Sequence, residues 1–93
     1  MFVDEGARAA VVEKGKSLLP AGIRKVVGVF RQGDMVDVLS ESGKTIARGL
    51  CNYSSEEVGK IMGCKTAEIS QRLGLAQKAF DEVIHRDNMV VIK

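Results

Sequence analysis

The run TIARGLCNY, residues 45 to 53, constrains the fold more than any other stretch of this chain. Its β-branched start and its alternation mark a strand, in which successive side chains point to opposite faces. Ala47, Gly49 and Cys51 share one of those faces, and all three are small. A tightly curved sheet needs small residues where its interior crowds, and a glycine within a strand marks a bend or a close backbone approach. The pattern therefore predicts an α+β domain built on a small mixed-sheet β pseudo-barrel. A chain of 93 residues with 45% apolar content fills such an interior as one domain, residues 1–93, and leaves little material for a deep cleft.

Two to three short helices accompany the strands. Asp4 can cap a first helix over residues 4 to 14, where Ala7, Ala10 and Val11 recur at helical spacing and Gly15 can supply a left-handed end. Ile23 to Phe30, rich in β-branched residues, reads as a strand in which Gly28 marks a bulge or a close approach. Met35 to Leu39 alternates as a strand should, and Ser40 to Lys44 turns it into the strand at 45–53. Ser54 and Glu57 form a capping box for a helix that Gly63 stops. Thr66 caps a shorter helix carrying Ile69 and Leu73, closed by Gly74. After a connector through Phe80, Val83 to Arg86 and Met89 to Ile92 read as two strands with Asp87-Asn88 as a two-residue hairpin turn.

Several short motifs imitate catalytic ones. His85-Arg86-Asp87 opens like the catalytic loop of protein kinases, but the position that should hold a metal-binding Asn is Ile92. Gly15-Lys16-Ser17 and Gly43-Lys44-Thr45 end like phosphate-binding loops, yet Ala10 and Val38 stand where the first glycine belongs, and Cys64-Lys65-Thr66 has no glycine before its lysine. Cys51, Cys64 and His85 are too few soft donors for a zinc site, and the two thiols are expected reduced and buried. No Ser, Cys or Asp is placed by sequence to partner His85 as a base, which leaves it a surface or partly buried hydrogen-bonding residue. No segment approaches the length of a membrane span, and the N-terminus lacks the order of a secretory signal, so a cytoplasmic protein without membrane contact is expected.

The charge balance, 14 Lys+Arg against 12 Asp+Glu, permits a nucleic-acid partner without demanding one. Lys14, Lys16, Arg24, Lys25 and Lys65 share a basic surface if the end of the first helix lies near the start of the second strand; otherwise they are ordinary solvated charges. With three Phe and one Tyr, of which Phe30 and Tyr53 look like core, a base-stacking platform has little material.

Taken together, RGLCNYSSEEV and the closing VIHRDNMV resemble the PUA domain, a small pseudo-barrel found in RNA-modifying enzymes. More narrowly, GKSLLPAGI, GDMVDV, IARGLCNYSSEE and EVIHRDN are similar to the C-terminal PUA domain of the bacterial glutamate 5-kinases. That resemblance implies a parent enzyme that uses ATP and Mg²⁺ to phosphorylate the γ-carboxylate of glutamate in proline synthesis, with its catalytic residues in a preceding amino-acid-kinase domain. It carries no catalytic, cofactor or metal residue onto this chain, implies an accessory role in regulation or assembly of a homo-oligomeric parent, and makes residues 1–3 a remnant of the interdomain linker. In RNA-modifying relatives the gripping surface corresponds here to Lys14 to Gly22 and to the stretch from His85 to Met89. The candidate RNA or partner surface is therefore Lys14, Lys16, Arg24, Lys25, Lys65, His85 and Arg86.

Overall fold

The computed structural model describes residues 1–77 and 80–92. Five strands, β1 (Phe2–Val3), β2 (Ile23–Lys25), β3 (Met35–Leu39), β4 (Thr45–Leu50) and β5 (Met89–Val91), form one sheet in the order β2-β1-β3-β4-β5. Three α-helices, α1 (Glu5–Val12), α2 (Ser55–Ile61) and α3 (Ile69–Leu73), pack around it. Neighbouring strands are antiparallel except β1 and β3, so the sheet is mixed, as expected from the sequence.

The small face of β4 is where the chain closes on itself. Ala47 and Cys51 are buried there, and a Cβ added to Gly49 would stand 2.7 Å from the Asn88 carbonyl oxygen and 2.7 Å from a methyl of Ile84. Real side-chain contacts are not that close, so glycine at 49 is what allows residues 84 to 89 to lie against the strand. Val36 faces Gly49 from β3 and Met89 faces it from β5. Buried Ile84 fills the space that a side chain at 49 would have taken, beside Val38, Val83 and Leu18 in the same core. A single bridge between Leu18 and Ile84 ties this last segment to the chain before β2: Leu18 N–H donates to the Ile84 carbonyl at 2.9 Å and Val83 N–H donates to the Leu18 carbonyl at 2.8 Å.

The helix signals held in detail at two of three places. Asp4 accepts the Ala7 N–H at 2.8 Å as the cap of α1. Ser54 accepts the Glu57 N–H at 3.2 Å while Glu57 accepts the Ser54 N–H at 2.9 Å, the reciprocal capping box. Thr66, expected to cap the third helix, is instead the first residue of a 3₁₀ turn, Thr66–Glu68, that leads into α3. The stabilising contact is made one residue earlier, where Glu68 accepts the Lys65 N–H at 3.0 Å.

Four other expectations are corrected. Residues 1–3, read as linker, belong to the sheet: Met1 and Val3 are buried, and β1 lies between β2 and β3. Their apolar side chains join the same core as Ile23, Val36, Val38 and Ile46. The strand expected over 23–30 ends at Lys25, because Gly28 adopts φ +80° and turns the chain, leaving Val27 and Val29 outside. β4 stops at Leu50: Cys51 N–H still bonds Asp34 O at 2.9 Å, the next position of the β3–β4 register, but Asn52 N–H turns away to Val83 O at 2.8 Å. There is no hairpin at Asp87-Asn88 either. Arg86–Asn88 is a 3₁₀ turn, β5 pairs with β4, and among the described residues no non-glycine has positive φ. Within the connector through Phe80, Lys78 and Ala79 lie outside the described residues.

Both cysteines are free and buried, as expected. Burial pushes the Cys51 thiol above its ordinary value of 9.0. A group with a raised folded pKa holds its proton more tightly in the native state, so its contribution is complete below the unfolded value and is lost as pH rises through the folded one. Urea unfolding is thus expected to show a lower midpoint at pH 10 than at pH 7.5, with a smaller decline in Cys51→Ala. Gly49→Ala should lower stability by ~1–3 kcal/mol through overpacking, read as a fall in thermal midpoint, although the same change at an open site would be neutral or stabilising.

Candidate functional site

The described surface has one groove built by the segment between α1 and β2. It has a volume of about 380 Å³ and runs between α1 and residues 16 to 22, with Asp4, Ala7, Ala10, Lys16, Ser17 and Leu19 among its walls. The small residues Ala7 and Ala10 on α1 set its depth. Its floor is fixed by the contact of Gly22 with α1, where an added Cβ would come within 2.4 Å of the Ala7 Cβ. Asp4 N–H donates to the Gly22 carbonyl at 2.9 Å, and Gly63 N–H donates to the Pro20 carbonyl at 2.7 Å, so the start of α1 and the end of α2 both hold the segment.

At one end of the groove stands the HRDN stretch. Arg86 N–H donates to Ser17 Oγ at 2.8 Å, and the Leu18–Ile84 bridge lies next to it. His85 caps the 3₁₀ turn, its Nδ1 accepting the Asp87 N–H at 3.1 Å, and its side chain is 42% exposed. This agrees with a half-buried, hydrogen-bonding histidine. A kinase-type base would need its aspartate directed at a substrate, and here the Asp87 carboxylate lies 3.6 Å from His85 and 3.9 Å from Arg86, on its own turn.

The seven sequence candidates divide by position. Lys16, His85 and Arg86 are brought together by the Ser17 contact. Arg24 lies at the groove's other side with its charge on Asp4, 3.3 Å away. Lys25, next along β2 and so on the opposite face, sits over the Phe2 ring at 5.9 Å. Lys14 follows α1 and Lys65 precedes the 3₁₀ turn; both are exposed, and among the described residues neither forms an ion pair with an acid. Sequence reasoning missed the groove walls Ala7 and Ala10, while Ser17 lies within the stretch Lys14 to Gly22 that the resemblance had named. The signal was present in the pairing of small residues on α1 with Gly22, but nothing in the sequence says that these two stretches meet. Among the described residues no three His, Cys, Asp or Glu side chains gather to hold a metal, and no helix is long and apolar enough to cross a membrane.

The sequence profile of the PUA domain matches residues 1–73. The chain belongs to the PUA domain family. Solved PUA structures share the fold: a conserved PUA domain protein from Thermoplasma acidophilum superposes with a TM-score of 0.57 at 36% identity over 62% of this chain and 38% of its own. A PUA domain from Aeropyrum pernix K1 gives 0.60 over 94% of this chain and 42% of its own, at 24% identity, a likeness of fold alone. Among curated proteins, this PUA domain is similar over all 93 residues to glutamate 5-kinases, at 59% identity to that of Caldanaerobacter subterraneus subsp. tengcongensis and 52% to that of Syntrophus aciditrophicus. It spans 24% of the length of each, in their C-terminal region.

The Ser17 tie can be tested directly. In Ser17→Ala the Arg86 amide loses its acceptor, and its hydrogen exchange by NMR should speed up by about fivefold, corresponding to a net hydrogen bond of ~1 kcal/mol, while the β3 and β4 amides keep their rates. An unchanged Arg86 rate would show that the groove's end is not held this way.

Proposed function

We propose that this chain is the accessory PUA domain of a glutamate 5-kinase, acting on the regulation or assembly of its parent and not on the chemistry. The observation that carries the reading is 59% identity across all 93 residues to the corresponding segment of such an enzyme. In that reading a preceding amino-acid-kinase domain binds ATP and Mg²⁺ and transfers the γ-phosphoryl group to the glutamate side-chain carboxylate, giving glutamate 5-phosphate and ADP. The parent is a cytoplasmic homo-oligomer, and the PUA domain supplies it with a surface. Catalysis of phosphoryl transfer consists of positioning and charge stabilisation around the metal-bound nucleotide, work assigned here to the preceding domain.

The reading is tested on the Caldanaerobacter enzyme by deleting the segment matched here. Glutamate phosphorylation should persist, with changed kinetics, Mg²⁺ dependence or subunit association. If all three stayed as in the intact enzyme, the accessory role would be lost. The 93-residue chain incubated with glutamate, ATP and Mg²⁺ should form no acyl phosphate, and any turnover would place chemistry in this domain.

A second reading, RNA contact, is supported by one observation: the Arg86 N–H bonds Ser17 Oγ, which sets the stretch after Lys16 on the groove wall next to half-exposed His85 and Arg86. Phosphate contacts release counterions, so true RNA affinity must fall as salt rises. Titration of a structured RNA at two salt concentrations decides it, and absence of binding at low salt ends this reading.

A further inference from the structure

Away from the groove, the outer face of the sheet and the loop after β2 beside it are apolar where solvent should be. Val29 is 96% exposed, Val90 69%, Met35 61% and Val27 54%. Single exposed apolar side chains are ordinary, but a continuous set marks a contact surface. Continuity here follows from the register. Met35 pairs with half-exposed Leu50 across β3 and β4, and the next row on the same face is Asp37, Arg48 and Val90. Met35 also joins two shallow depressions, one of about 310 Å³ shared with Met1, Val27 and Val29, the other of about 260 Å³ shared with Arg48, Val90 and Ile92. The charges within the face cancel, since Arg48 Nε lies 2.6 Å from the Asp37 carboxylate. A surface of this kind holds a partner by burial and does not steer one by charge.

The occupant is indicated by where the chain enters. In the glutamate 5-kinase relatives about three quarters of the polypeptide lies outside the matched segment, and that segment is C-terminal, so the remainder reaches this domain at residue 1. Met1 lies in the same depression as Val29 and Met35. We propose that the face running from Val27 and Val29 through Met35 to Val90 is the seat of the preceding domain of the same polypeptide, an intramolecular docking surface; this rests on the glutamate 5-kinase reading above.

Two further facts agree with it. The Met1 nitrogen donates to the Asp37 carbonyl at 2.7 Å, and Leu39 N–H donates to the Met1 carbonyl at 2.8 Å, so residue 1 already runs as strand beside β3. Burial pushes the terminal ammonium below its ordinary range, whereas a peptide N–H at the same place would make the same bond with no charge to desolvate. A domain tethered at Met1 meets the face at an effective concentration in the millimolar range. A modest apolar patch then suffices, where an untethered second copy would need a larger interface to stay bound.

The experiment places these 93 residues in the Caldanaerobacter enzyme in place of its matching segment and compares hydrogen–deuterium exchange of residues 27–36 and 89–92 in this fusion with that in the separate chain. Exchange should slow by about tenfold or more in the fusion. Val29→Asp and Met35→Lys, both at exposed positions and so compatible with folding of the separate chain, should each restore fast exchange across the whole face. Equal exchange in a fusion that phosphorylates glutamate as the parent does overturns the docking face and leaves the functional reading intact. Equal exchange in a fusion that phosphorylates none overturns both. Sedimentation of the separate chain as a dimer that Val29→Asp dissociates would give the face to a second copy and likewise overturn the proposal.

Discussion

The close approach of Gly49 to the segment 84–89 is the constraint from which the rest of the structure follows. β4 lies in the sheet between β3 and β5, and its interior face must accept both a β strand at its side and a returning chain above it. Only a residue without a Cβ leaves room for the Asn88 carbonyl and the Ile84 methyl at once. Once Ile84 is seated, Leu18 bridges to it, the Leu18 segment lies along α1, and the groove acquires both of its walls. The groove is thus a by-product of how the core closes. Its shape depends on packing at a residue that does not line it.

The N-terminal strand contributes in a different way. β1 is two residues long, yet it joins β2 to β3 and makes the only parallel pairing of the described sheet. Two residues give few ladder bonds, so β1 is held mainly by burial of Met1 and Val3, with Phe2 carrying the Lys25 ammonium over its ring on the other side. The outer face of β3 and β4, by contrast, carries an ion pair between exposed Asp37 and Arg48, worth little in water. Stability resides on the inner face, and the outer one is free for other uses.

What the sequence made legible was local. Asp4, Ser54 and Glu57 act within three residues of their partners, so their roles could be read directly. The small face Ala47, Gly49 and Cys51 was also readable, because strand periodicity assigns a face without knowledge of what covers it. Failures came where long-range contacts competed with propensity. Val26 to Phe30 has β-branched residues enough for a strand, but Gly28 turns it and no neighbouring strand is offered there. Asp87-Asn88 suits a tight hairpin, but β4 takes the final strand as its partner, so the turn needs no positive φ. The candidate surface was only partly readable for the same reason: the approach of the Lys16–Ser17 stretch to Arg86 depends on a hydrogen bond between Ser17 and Arg86, residues 69 apart.

The parallel pairing of β1 with β3 also bears on the order of assembly. β1, an internal strand, is made before the rest of the sheet, and both its neighbours follow later, with Phe2 finally opposite Leu39. Until then its apolar side chains have no shelter. Closure waits longer still, because β5 and Ile84 come at the far end of the chain. Contacts so distant along the chain are slow to form, so a half-synthesised domain of this type passes through a period of exposed core, and residues 84 to 91 act as the latch that ends it.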